Sequence, residues 1–302
     1  DDRYRQLKSR FRRRLLNTFF LLDVQPSHSP GYGEALQACN RQLAMVYAFK
    51  AQGAVQAAMT ETIQLQRNAL KYNFAEIVTA ACLLLMELYS EAGDEKRFKE
   101  QKALLQRFQP ILDAERKSEI LVQTIRMAYS SIAIPPMEAL NRIAAHCEEL
   151  LSFSEKYKSP LISMNAFEAW MLRFDLEGNF EPAEQVAEQA EAFFRKNPLW
   201  APRDKQYLFL LGRLRAALHH TDFKKGKIAA ERAFRLIGPN DPRRFELMEL
   251  LLLLSIHSGN YLHAFAVYKE AIDSKVFITA PEEQKNKWQV ITPFVHLLME
   301  MR

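Results

Sequence analysis

GNYLHAFAVYKEA (residues 259–271) opens with a Gly-Asn turn and runs on into small and aromatic residues at helical spacing. Counted from Tyr261, Ala264, Tyr268 and Ala271 follow at offsets of 3, 7 and 10. Those offsets share one side of an α-helix. Two upstream stretches keep the same register. In GNFEPAEQVAEQAEAFF (178–194), Phe180 is followed by Ala183, Ala187 and Ala190. In TDFKKGKIAAERAF (221–234), Phe223 is followed by Gly226, Ala230 and Ala233. The three aromatic residues stand 43 and 38 residues apart, so one structural unit recurs. Small side chains on that face let a partner helix approach closely. The leading aromatic packs on the preceding helix, and Gly178 or Gly259 supplies the left-handed backbone that ends it. Proline-bearing links close the units: NPLWAP at 197–202, GPNDP at 238–242 and TAP at 279–281.

Outward from these units, almost every segment has a helical period. The pattern predicts helices over about 3–22, 34–51, 53–70, 75–91, 95–112, 116–131, 136–157, 161–177, 181–196, 203–219, 223–237, 243–257, 261–274 and 282–300. The first ends before QPSHSPGYG, where Pro26, Pro30, Gly31 and Gly33 break the chain. KYNF, EAGD, EGN, HTD and SGN mark further junctions. Links this short make consecutive helices antiparallel neighbours. Pro281 suits the first turn of the last helix, and Pro293 is expected to kink or shorten it. Only KVFITAP reads as strand-like, so little or no sheet is expected.

The register resembles the tetratricopeptide repeat (TPR), in which the second helix of a pair carries small residues at fixed places after a Gly-x-Tyr turn. Gly259 and Tyr261 match the turn positions, and Ala264, Tyr268 and Ala271 the packing positions. Gly178, Phe180, Ala183 and Ala190 match well; Phe223, Gly226 and Ala233 match with Thr221 in place of the turn glycine. The first helices depart from the family pattern: Phe167 and Trp170 give one an aromatic character, and 248–254 is nearly all leucine. The units also exceed the usual length of about 34 residues. The resemblance implies a right-handed α-solenoid of antiparallel helix pairs filling residues 1–302 as a single repeat domain. Within it, 1–30 would be a basic helix and Pro/Gly linker, 34–157 divergent pairs, 160–275 three TPR-like units, and 281–301 a capping helix. Solenoids present a concave face. In the family the first helix of each pair lines it, which nominates Asn165, Glu168, Arg173, Lys205, Gln206, Arg213 and Arg244 as groove residues for an acidic or polar peptide. The family's carboxylate clamp for chaperone tails is not recognisable.

Composition sets the function classes. The chain has 302 residues, 48% of them hydrophobic and 25% charged, enough for a sizeable core. Net charge is +5, and all of it sits in DDRYRQLKSRFRRR (1–14). The other residues balance at 34 basic and 34 acidic groups, as read from the sequence. Bulk charge therefore argues against nucleic acid as a ligand of the body, and leaves residues 3–14 as the stretch suited to nucleic acid or anionic lipid. The run LMELLLLLSI (247–256) contains Glu249 and is too short to span a bilayer. No secretory signal pattern is visible. The chain opens with DDRY rather than Met, which fits a fragment of a longer protein.

Cys39, Cys82 and Cys147 lie far apart in apolar helical patterns, which fits buried thiols in the cytoplasm rather than a disulfide or metal framework. His219, His220, His257 and His263 gather near helix ends with Asp222, where imidazoles commonly sit at the negative helix pole rather than on a metal. Glu184 with Glu188, and Glu148 with Glu149, read as solvated faces rather than catalytic pairs. No HExxH, phosphate-loop, dinucleotide or nucleophile-elbow pattern occurs. No catalytic residue, cofactor site or metal site is assigned. The expectation is a non-catalytic scaffold or adaptor that binds a protein or peptide. The alternative is the sensor domain of a TPR-type regulator whose effector or DNA-binding part lies outside this chain.

Overall fold

The computed structural model describes residues 3–11, 31–131 and 136–300. Among them every regular element is helical and no strand occurs. Residues 3–11 form α1. There follow α2 (Tyr32–Ala51), α3 (Val55–Lys71), α4 (Ala75–Glu91), α5 (Glu95–Ser131), α6 (Met137–Tyr157), α7 (Pro160–Glu177) and α8 (Phe180–Lys196). A 3-10 turn (Pro198–Trp200) leads to α9 (Arg203–His219), α10 (Phe223–Leu236), α11 (Arg243–His257), α12 (Tyr261–Ile272), α13 (Lys275–Thr279) and α14 (Glu282–Glu300). The remainder of the first predicted helix, from residue 12 onward, and residues 25–30 of the predicted break lie outside the described residues; Gly31 caps α2 and Gly33 lies within its first turn, so that helix starts two residues earlier than predicted.

Two expectations are corrected. The helices predicted over 95–112 and 116–131 are one element, α5, which runs through Pro110. Most left-handed closures in this chain use Gly or Asn, as at Gly53, Asn73, Gly93, Gly178 and Gly259; ILDAER offers neither, and the helix runs on. The strand-like KVFIT is the short helix α13, started by the Ser274 side chain accepting from the backbone N–H of Phe277. The last helix also runs its full predicted length through Pro293.

Lys158, at φ 48°, ends α6 with its N–H bonded to the Ser154 carbonyl, whereas the six other residues at positive φ, Gly53, Asn73, Gly93, Gly178, Thr221 and Gly259, lie between 50° and 73° and share a different closure. In each, that residue's N–H bonds three residues back, and the next N–H bonds five back, as in Asn179 to Phe174 and Asn260 to Ser255. This is the Schellman pattern, which satisfies the last carbonyls of the helix. Thr221 is the odd member, since a β-branched residue resists this region. The following Asp222 compensates by capping α10, its side chain accepting from the Lys225 N–H.

The chain falls into two compact units, residues 1–112 and 113–302. In the first, α2, α3 and α4 contact one another, with α4 the most enclosed. It buries Ile77, Val78, Ala81, Cys82, Leu85 and Leu88 on several sides. In the second, each helix contacts its sequence neighbour from α6 to α12, and α7, α9 and α11 also contact one another in succession. The repeat register explains the packing. Ala183, Ala187 and Ala190 in α8, Ala230 and Ala233 in α10, and Ala264, Tyr268 and Ala271 in α12 are all buried. Their leading aromatics Phe180, Phe223 and Tyr261 open the three helices. Trp288 and Val295 of α14 join the core formed by α9 to α12, while Val290, Phe294 and Leu297 stay exposed on its other side.

Gly226 marks the closest approach. A Cβ added there would collide with Leu254 Cδ2 of α11 and lie 3.1 Å from Ala217 Cβ of α9. Leu254 is fully buried, so its displacement would disturb the packed core around it. Gly226→Ala is therefore expected to destabilise by about 1–3 kcal/mol through overpacking. Gly238→Ala, where an added Cβ meets nothing within 4 Å, should leave stability within about 0.5 kcal/mol. Urea unfolding followed by circular dichroism compares the two; equal stabilities would remove the close-approach argument.

Candidate functional site

The first helices of the predicted units, α7, α9 and α11, lie side by side, and the second half of α5 joins them through polar contacts. Ser159 donates to Glu115 at 2.6 Å, and Asn165 donates to Ser118 at 3.0 Å. Glu168 of α7 then accepts from Arg126 of α5 on one side and Lys205 of α9 on the other. Two turns further along α7, Asp175 accepts from Tyr129 and Arg215. Arg215 also reaches the Tyr129 hydroxyl at 2.9 Å and Glu246 of α11 at 2.7 Å. One cation thus ties four helices. At the start of α11, Arg243 bonds Asp204 of α9 at 2.7 Å and covers the Tyr207 ring at 5.0 Å.

Burial sets the electrostatics of this ladder. Glu168 is 4% exposed, and burial alone would raise its pKa. The hydrogen bond from Arg126 and the charge and hydrogen bond of Lys205 outweigh that and hold the carboxyl below its ordinary value. Burial works against the Arg215 charge too, but Asp175, Tyr129 and Glu246 hold its pKa above the ordinary arginine value. Burial, then the bond to Asp175, pushes the Tyr129 hydroxyl up. These groups are charged or neutral in the combination that completes their hydrogen bonds, which is what a buried polar network requires.

A second polar region lies where α8, α9 and α10 meet. A cavity of about 430 Å³ is lined by Glu188, Glu191, Arg195, Arg213 and Arg232. Glu191 accepts from Arg213 and from Arg232, both at 3.1 Å. Beside it, a cavity of about 250 Å³ shares Glu191, Arg195 and Arg232 and adds the apolar walls of Phe194, Pro198, Phe209 and Leu210. Gln206 also lines it and donates to the Ala201 carbonyl at 2.7 Å.

The seven groove residues read from the sequence are divided by this geometry. Asn165, Glu168 and Lys205 belong to the ladder between helices. Arg173 bonds Glu177 at 2.8 Å and stands over the Trp170 ring at 4.8 Å. Arg244 stands over Phe234 at 4.6 Å and pairs with Glu270. Gln206 and Arg213 line the two cavities. Sequence reasoning passed over Arg126, Tyr129, Asp175, Arg215 and Glu246, and over Glu191, Arg195 and Arg232. A signal for most of them exists: opposite charges recur one repeat apart, as in Glu168 and Lys205 at a separation of 37, or Glu191 and Arg232 at 41.

The other reactive groups have local partners. His219 packs on Phe180 at 4.8 Å, and His263 packs on Phe223 at 5.0 Å with its Nδ1 2.9 Å from the Ser255 hydroxyl. Burial lowers the His263 pKa. Among the described residues no three His, Cys, Asp or Glu side chains gather as a metal site. Glu184 pairs with Lys225, and Glu149 with Lys117. Cys39, Cys82 and Cys147 are buried and unbridged. Burial pushes the Cys82 thiol up to about 11 and Cys147 to about 12, so both are protonated and poor nucleophiles at neutral pH. Arg3, Arg5, Lys8 and Arg10 of the basic run are exposed on α1; Arg12, Arg13 and Arg14 lie outside the described residues. No helix among the described residues is long and apolar enough to cross a membrane. No protein-family model matches the chain, and no curated protein matches it.

The Glu168 ladder has a pH signature. Its folded-state pKa lies below the ordinary 4.5, so its stabilisation is complete above that value and is lost as pH falls through the lower folded one. Glu168→Gln should cost about 1.5–3 kcal/mol at pH 7, towards the lower figure because Arg126 is partly solvated. Urea unfolding at pH 7, 5, 4 and 3 should show the gap between wild type and variant narrowing only below 4.5. A gap that is absent at pH 7, or that does not change with pH, contradicts the assignment.

Proposed function

We propose that this chain is a non-catalytic interaction module, a scaffold or adaptor, whose three hairpins α7–α8, α9–α10 and α11–α12 are TPR-like units that hold a peptide or protein segment of a partner. The observation that carries the reading is the packing order. Each hairpin touches the next, the residues at the same three offsets are buried in every unit, all of them small except Tyr268, and the first helices follow one another in contact. Such stacking makes an extended surface whose shape is set by the repeats and whose chemistry is free to vary with the exposed residues.

Two further features support it. The first helices use their polar residues to bind one another, so the surface they build is tied together before any ligand arrives, and a preformed surface loses less entropy on binding. The two adjoining cavities at α8, α9 and α10 combine apolar walls with a few convergent polar groups, the composition of a recognition site. The charge balance of the body favours a mixed polypeptide over a polyanion.

Panning a library of random twelve-residue peptides against the purified full chain tests this. Enriched peptides, resynthesised and titrated by calorimetry, are expected to bind with micromolar dissociation constants and to slow amide exchange in α8, α9 and α10. Enriched peptides that fail to bind in solution, or protection confined to residues 31–112, would overturn the proposal.

A further inference from the structure

The interaction reading leaves open what chemistry the ligand brings. The cleft at α8, α9 and α10 gives an answer through its charge count. Three guanidinium groups, Arg195, Arg213 and Arg232, face two carboxylates, Glu188 and Glu191, around one cavity. Glu191 is the hub: its side chain is 19% exposed and it holds both Arg213 and Arg232. Glu188 is more solvated and stands 4.0 Å from Arg213. Arg195 makes no ion pair with any described residue. Arg213 and Arg232 each bond Glu191 through Nη1, which leaves guanidinium N–H donors on both to spare. Glu191 therefore positions two forks whose donors are not exhausted, next to a third that is unpaired. That arrangement is short of one carboxylate.

The neighbouring cavity narrows the class. Its apolar wall is formed by Phe194, Phe209 and Leu210, which are 7%, 0% and 3% exposed, together with Pro198. A slot of about 250 Å³ takes one or two aliphatic or aromatic side chains, and it opens beside Arg195 and Arg232. Three guanidinium groups against two carboxylates leave one net positive charge, which a single carboxylate balances and a polyphosphate chain exceeds. A polypeptide with one acidic residue next to an apolar one satisfies both parts.

We propose that the cleft lined by α8, α9 and α10 binds an acidic segment of a partner protein, an Asp or Glu carboxylate of that segment bridging Arg195 and Arg232 while an adjacent apolar side chain enters the slot beside Phe194 and Leu210. The proposal rests on the interaction-module reading and adds a location and a ligand chemistry to it. Bidentate guanidinium–carboxylate pairing supplies the orientation, and burial of the apolar side chain supplies most of the affinity. Because the arginines lie on the rim, binding should weaken with added salt.

The test uses the full chain and fluorescence anisotropy with four labelled probes. Three are decapeptide pools built from Leu, Phe, Ala and Ser plus either Asp and Glu, Asn and Gln, or Lys and Arg; the fourth is a single-stranded oligonucleotide. The acidic pool is expected to bind about tenfold more tightly than the amide pool, and Arg195→Glu to weaken it about tenfold while leaving the amide pool unchanged. Arg195→Gln should give a smaller loss. Arg195 is exposed, and circular dichroism should show both variants folded. If the amide or basic pool binds as well as the acidic one, the chain is still an interaction module and the acidic-ligand proposal fails. If the acidic pool binds equally to wild type and Arg195→Glu, the location fails. If no pool binds, both the proposal and the reading beneath it fail. Preference for the oligonucleotide would replace the polypeptide with a nucleic acid.

Discussion

The close approach of helices along a line of alanine and glycine is the constraint on which the second unit depends. Where α8, α10 and α12 meet their neighbours, the contact residues are Ala183, Ala187 and Ala190, then Gly226, Ala230 and Ala233, then Ala264 and Ala271, all of them buried. A methyl group or a hydrogen at these places lets backbones come near enough for the larger side chains of the facing helix to fill the remaining space, as Leu254 does against Gly226. The spacing of 3, 7 and 10 keeps the seam straight along each helix. The left-handed residue at each tight link then turns the chain back at once, so a helix has little choice of partner except the one before it.

Once the hairpins are stacked, charges one repeat apart are brought together. Asp175 and Arg215 are 40 residues apart in sequence, Asp204 and Arg243 are 39, and Glu184 and Lys225 are 41. Each pair crosses from one unit to the next. Isolated surface pairs of this kind contribute little. The partly buried ladder through Glu168 and Arg215 is different, because removing one member would strand the others away from water. The same logic shapes the cleft, where Glu191 ties Arg213 and Arg232 together across three helices at the edge of a cavity.

Much of this was legible before the structure. The register of Phe180, Phe223 and Tyr261 located the buried faces of three helices, and the bounds of α9, α11 and α14 follow the predicted 203–219, 243–257 and 282–300. Two kinds of information were less accessible. The unity of α5 depends on what is missing, a left-handed residue between Ile111 and Arg116, while the proline at 110 suggests a break. Side-chain pairing depends on helix rotation: Lys205 and Gln206 are adjacent in sequence, yet one bonds Glu168 of α7 and the other lines the cavity against α8. A first-helix position therefore does not decide which neighbour a polar residue meets. Arg195 and Arg232 sit on second helices, which the family resemblance does not nominate as groove. The charge pattern at the repeat distance is the sequence signal that would have drawn Glu191 and Arg232 together.

The central claim is that stability in the second unit passes from each hairpin to the next through these seams. Amide hydrogen exchange, followed helix by helix after Leu214→Ala in α9, measures it most directly. Leu214 is fully buried, and truncation at such a site costs about 2–5 kcal/mol. Nearest-neighbour stacking predicts the largest loss of protection in α9 and in the helices it contacts, α7, α8, α10 and α11, with α14 affected least. An equal loss in α14 and α9 would mean a single undivided core and would contradict the account.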